Sequence, residues 1–111
     1  MERRGDDKAV IAAYKSLLGV APKEARFYFD LVRIYFRLGD RKAATRMLSR
    51  IESKFSRDPD VHVMLADTYM RFDMGEKALK IYKKLVRMDP KNDAYILGLG
   101  EYYYQNGEVE E

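Results

Sequence analysis

The segment PDVHVMLADTYMRFDMGEKALKIYKKLVRMDPKN, residues 59–92, reads as two helices with one break between them. Leu65 and Tyr69 lie four apart, and Ala78, Tyr82 and Leu85 lie four and three apart, which puts each set on one face of a helix and not on alternate faces of a strand. Asp58 before Pro59 supplies an N-cap followed by a proline at the first helical position, where a missing N–H costs nothing. Asp73 to Gly75 breaks the pattern, and Asp89-Pro90 ends it.

Moving outward by 34 residues in either direction recovers the same pattern. Tyr35, Tyr69 and Tyr103 form one column, Leu31, Leu65 and Leu99 a second, and Val32, Ala66 and Gly100 a third. The intervening segments align as Val10, Ala44 and Ala78, as Tyr14, Leu48 and Tyr82, and as Leu17, Ile51 and Leu85. Pro22 and Pro90 are two periods apart, with Ser56 between. A fixed period of this length is the signature of stacked helical units, each unable to bury its apolar stripe alone. The spacing predicts helices near 7–19, 24–38, 40–56, 59–72, 75–88 and 93–106, an all-α fold with no sheet. Asp40 is expected to cap the third.

Composition limits the function. With 111 residues, 47% of them hydrophobic and 35% charged, the chain suits one soluble globular domain. No apolar run approaches the roughly 18 residues needed to cross a bilayer. The opening Met-Glu-Arg-Arg-Gly-Asp-Asp has neither an apolar core nor a small-residue cleavage site, so a cytoplasmic location is expected. Cysteine is absent, which removes disulfides, thiolate metal sites and cysteine nucleophiles. His62, the one histidine, occupies a packing slot in the repeat, so no catalytic residue, metal site or cofactor is expected. Gly98-Leu99-Gly100 lies inside a helix pattern with no strand before it and fails as a phosphate loop. Arg4-Gly5-Asp6 is read as a chance tripeptide. Charge is uneven: residues 1–58 carry 14 Lys and Arg against 8 Asp and Glu, and residues 59–111 carry 7 against 10.

These residues resemble the tetratricopeptide repeat family, whose 34-residue helix-turn-helix unit favours an aromatic, Leu-Gly, Tyr, Gly, Ala, an aromatic, Ala and Pro at set positions. Residues 59–92 place His62, Leu65-Ala66, Tyr69, Ala78, Tyr82, Leu85 and Pro90 there, and residues 25–58 place Tyr28, Leu31-Val32, Tyr35, Gly39, Ala44, Leu48 and Ile51. Residues 93–107 match a first helix, with Ile96, Leu99-Gly100, Tyr103 and Gly107, and residues 7–22 a second helix. The resemblance implies a single domain, 1–111, built as a right-handed superhelical solenoid of antiparallel helix pairs with a concave groove lined by first helices. It implies a protein-binding scaffold and not an enzyme.

In family terms the groove-facing slots hold Phe29, Arg33 and Phe36, then Val63, Asp67 and Met70, then Leu97, Glu101 and Tyr104, with Arg26, Arg37, Asp60, Arg71 and Gln105 beside them. An apolar stripe rimmed by charge suits a peptide or helix, and the expected partner is another protein whose apolar segment turns acidic residues toward Arg26, Arg33 and Arg37. The slots that hold chaperone C-terminal carboxylates in related domains carry Phe29, Arg33, Met64, Ala94 and Gly98 here, which argues against that ligand. Phe29, Val63 and Leu97 stand where RNA-reading relatives place base-pairing side chains, so nucleic acid is disfavoured as a sequence-specific partner. Arg46 and Arg50 align with Lys80 and Lys84 on a basic face, which leaves non-specific polyanion binding as the alternative function. The half-repeats carry complementary apolar faces, Val10, Tyr14 and Leu17 at one end and Ile96, Leu99 and Tyr103 at the other, and so predict self-association into a homo-oligomer.

Overall fold

The computed structural model describes residues 4–106, with side-chain surroundings from Asp6 onward. Gly107 lies outside them. Among the described residues there are six helices and no strand: α1 (Arg4–Val20), α2 (Ala25–Arg37), α3 (Arg41–Lys54), α4 (Pro59–Arg71), α5 (Gly75–Met88) and α6 (Asp93–Gln105). The fold is an all-α helical repeat.

The boundaries follow the local chemistry. Asp40 accepts a hydrogen bond from the Ala43 amide at 3.1 Å, and Asp58 accepts one from the Val61 amide at 3.2 Å, so both N-caps form as expected. Asn92 does the same for Tyr95 at 3.2 Å. Gly39 ends the α2 turn with φ 81°, a left-handed conformation that glycine adopts without strain. Asp73 takes φ 65° in the matching turn after α4, a place where aspartate is among the better-tolerated side chains. α1 begins earlier than its apolar pattern, since Asp6 and Asp7 in its first turn complement the helix dipole.

The chain divides into two compact units, one running through Ser56 and the other starting at Arg57. The break falls two residues before the boundary between the two full repeats. In unit 1 the α2–α3 pair buries Tyr28, Leu31, Val32, Ala44, Leu48 and Ile51. The Tyr28 ring meets Phe55 edge-on at 5.8 Å, and its hydroxyl donates to the Pro22 carbonyl at 3.3 Å, so a large apolar ring is buried with its polar tip answered. α1 packs on α2 through Tyr14, edge-on to Phe27 at 6.3 Å.

Unit 2 repeats this plan with α4–α5 as the pair and α6 packed on α5. Val61, His62, Leu65, Ala66, Tyr69, Ala78, Ile81 and Leu85 are buried. Each such large side chain contributes about 1.5–3 kcal/mol of gross burial free energy. His62 sits in this core as a packing residue. Its Nδ1 is 2.8 Å from the Asp58 carbonyl, which can only accept, so Nδ1 carries the proton and buried Nε2 is left without a partner.

Candidate functional site

Unit 2 contains an open groove of about 460 Å³ between its two first-type helices. Asp67, Met70 and Arg71 on α4 form one wall; Gly98, Glu101, Tyr102 and Gln105 on α6 form the other; Tyr82 of α5 lies between. Helix spacing explains the walls, since residues 67, 70 and 71 recur three and four apart, as do 98, 101, 102 and 105. The groove depends on a close approach at Gly98, where an added Cβ would stand 2.9 Å from Cε1 of Tyr82. Gly75 serves Tyr102 in the same way, with 3.3 Å between its would-be Cβ and the ring.

The floor is electrostatically distinct. Burial pushes the Tyr82 hydroxyl above its ordinary value of 10.0, and the carboxylates of Asp67 and then Glu101 push it further. Both carboxylates are exposed, and neither forms an ion pair among the described residues. Leu97 at 61% exposure and Tyr104 at 79% flank Glu101 on α6, an apolar rim in water.

Unit 1 has the counterpart of this groove, a smaller one of about 350 Å³ lined by Tyr14, Asp30, Arg33, Ile34 and Arg37. Adding 68, two periods, to each number gives Tyr82, Gly98, Glu101, Tyr102 and Gln105. Here the charges are answered from within. Arg33 bonds Asp30, Arg37 bonds Asp7 at 2.8 Å, and the Tyr14 hydroxyl is raised chiefly by the Asp30 charge, with burial and a hydrogen bond to Asp30 adding and Arg33 opposing. Arg26 lies 3.6 Å from Glu24 and stacks over Phe27 at 4.9 Å.

A second concavity in unit 1, about 680 Å³, is lined by Lys15, Tyr35, Ala43, Arg46, Met47, Ser49, Arg50 and Ser53. It adds Lys15 to the basic face containing Arg46 and Arg50. No group of three His, Asp or Glu side chains suited to a metal ion occurs among the described residues, and none of their helices is long and apolar enough to cross a membrane.

Two family profiles described as tetratricopeptide repeat match the chain, one over residues 4–68 and the other over 63–111. The chain belongs to the tetratricopeptide repeat family. Tetratricopeptide repeats mediate protein–protein interaction, and proteins of this family are generally non-enzymatic scaffolds. Among solved structures the chain is similar to MamA, with a TM-score of 0.60 and 20% identity over 95% of this chain. It spans 61% of that structure's chain. A search of curated proteins finds no significant match.

The groove-facing slots of a tetratricopeptide repeat do not all behave alike in this chain. Asp67, Met70, Arg71 and Glu101 come together in the unit 2 groove, while Leu97 and Tyr104 are exposed on α6 outside its lining and Val63 is half-buried. Phe29 departs from expectation: at 1% exposure it belongs to the core and offers a ligand nothing. It lies three residues before fully buried Val32, so the ring shares that apolar face and leaves water with it. Phe36 is half-buried with the Arg41 guanidinium over its ring at 5.7 Å. Arg26, Arg33 and Arg37 are exposed, and each already has an acidic neighbour in the chain. Tyr14 also departs from its assignment to a free end face, because together with Asp7, two turns earlier, it is engaged by α2. Sequence reasoning placed Tyr82 in packing, weighed Gly98 only as part of a phosphate loop and as a chaperone-carboxylate slot, and left Tyr102 out, and the 68-residue relation between Tyr14 and Tyr82 is the signal that links the two grooves.

Proposed function

We propose that the chain is a protein-interaction scaffold that takes an apolar segment of a partner protein into the groove between α4 and α6. The observation that carries this is a preformed groove walled by two helices, with Met70 in its lining and Leu97 and Tyr104 exposed on α6 one turn either side of the lining residue Glu101. Exposed large apolar side chains beside unpaired charges are the usual makings of a recognition surface. The test is to select peptides from a random displayed library on the 111-residue chain, then measure them against Met70→Ala and Leu97→Ala. Affinity should fall by roughly ten-fold or more with thermal stability unchanged. Unchanged affinity in both variants sinks the reading.

A second reading, self-association through the end helices, draws support from a difference in cover. Leu31, Val32, Leu65 and Ala66 are fully buried, whereas their counterparts Leu99 and Gly100 are half-buried and exposed, Ile96 is 47% exposed, and a Cβ at Gly100 would meet nothing within 4 Å. Val10 and Leu17 of α1 are likewise half-buried where Ala44, Ile51, Ala78 and Leu85 are fully covered. An α6 from one copy and an α1 from another would together make both halves of one repeat.

A further inference from the structure

Resting on the proposed use of the α4–α6 groove, we infer that this groove receives a lysine or arginine side chain of the bound protein segment. The two equivalent grooves show how. In unit 1 two carboxylates, Asp7 and Asp30, pair with two guanidinium groups, Arg37 and Arg33, so these four charges balance among the described residues. Two periods on, both carboxylate positions are glycine, Gly75 and Gly98; the two guanidinium positions are Gln105 and Glu101. Both internal ion pairs have been deleted at once, and one of the cations is replaced by an anion.

What remains in unit 2 is a larger opening with an unanswered charge. Asp67 and Glu101 face it from opposite walls, and Arg71, which lines it too, pairs with neither. Among the described residues, those three charges leave the groove one cation short of neutral. Asp67, Glu101 and Tyr82 line the same groove, so both carboxylates border the space that the Tyr82 ring helps to enclose. Gly98, having no side chain, lets one edge of the Tyr82 ring approach α6, where a would-be Cβ would stand 2.9 Å from Cε1 and 3.2 Å from Cδ1. A flexible stem ending in an ammonium or guanidinium suits this shape: its methylenes can lie along Met70 and the Tyr82 ring, and its head can reach both carboxylates. An acidic ligand group would meet uncompensated repulsion in the same place.

The test uses three labelled peptides of leucine and alanine, identical except for a central Arg, Gln or Glu, titrated against the 111-residue chain by fluorescence anisotropy. The Arg peptide should bind roughly ten-fold tighter than the Gln peptide, and the Glu peptide more weakly still, because hydrogen bonds to charged groups are worth more than neutral ones. The preference should shrink as salt is raised. Glu101→Arg, which restores the unit 1 residue on an exposed position, should reverse the order. Equal binding of the Arg and Gln peptides, both weakened by Met70→Ala, would refute the cation preference while leaving the groove reading intact. No binding by any of the three would count against both.

Discussion

The ring of Tyr82 lies so close to the backbone of Gly98 that an added Cβ would sit 2.9 Å from its Cε1, while two residues on, at Gly100, the same methyl would meet nothing within 4 Å. Both glycines are inside α6, where alanine is intrinsically better by about 1 kcal/mol. Gly100→Ala should therefore raise stability by close to that amount. Gly98→Ala should forfeit it by driving the ring out of place, giving a lower melting temperature than Gly100→Ala. Thermal melts of the two variants check this, and equal stabilisation by both would show that Tyr82 moves aside freely.

Tyr82 also predicts an alkaline limit. Its folded hydroxyl is held above the ordinary value of 10.0, so on raising the pH the unfolded chain loses that proton first. Fewer protons bound in the unfolded state means that stability falls as pH rises, starting near the unfolded value and continuing through the folded one. Below that range the contribution is complete. Ultraviolet titration of phenolate should show Asp67→Asn and Glu101→Gln each bringing the Tyr82 transition down, with burial keeping it somewhat elevated. Tyr82→Phe should lose this alkaline component.

His62 carries an avoidable cost. Its Nε2 is buried without a partner, and the Asp58 carbonyl that holds Nδ1 also accepts the His62 amide at 3.1 Å, so it stays satisfied if the ring changes. Leaving a buried polar atom unpaired costs about 1–3 kcal/mol. His62→Phe, similar in shape, should raise the melting temperature by several degrees. A lower value would mean that the pocket fits imidazole closely and is overpacked by phenyl.

For the end helices, the prediction is concentration-dependent sedimentation. Val10, Leu17, Ile96, Leu99 and Tyr103 are five side chains, four of them already half-buried, so covering them adds roughly half of the 1.5–3 kcal/mol that full burial gives each, against an association cost of several kcal/mol. Weak association, on the order of millimolar, should result and should be abolished by Leu99→Glu. A monomer at every concentration would contradict it.

Much of the fold was legible because its period is long and its columns are apolar. The 34-residue spacing of Leu31, Leu65 and Leu99 locates the helices to within a residue or two at most ends, and the caps Asp40 and Asp58 are visible as residue types. The site was less so. Phe29 and Phe36 share a slot pattern with Val63 and Met70, yet burial depends on which neighbours cover each ring, and spacing alone does not say. The internal pairing of Arg33 and Arg37 needed geometry, since Asp7 is 30 residues from Arg37. The comparison of Asp7 with Gly75 and of Asp30 with Gly98 was available in the letters, but its meaning appears only when Tyr14 and Tyr82 are seen lining equivalent grooves.

The most direct test of the account is to map binding on the chain itself by amide chemical-shift changes, using the tightest library-selected peptide as the probe. The account predicts that the largest shifts fall on Asp67, Met70, Gly98, Glu101 and Gln105, and that Met70→Ala removes them together. Shifts centred instead on Lys15, Arg46 and Arg50, steeply lost with salt, would contradict it and assign the chain to polyanion binding on its basic face.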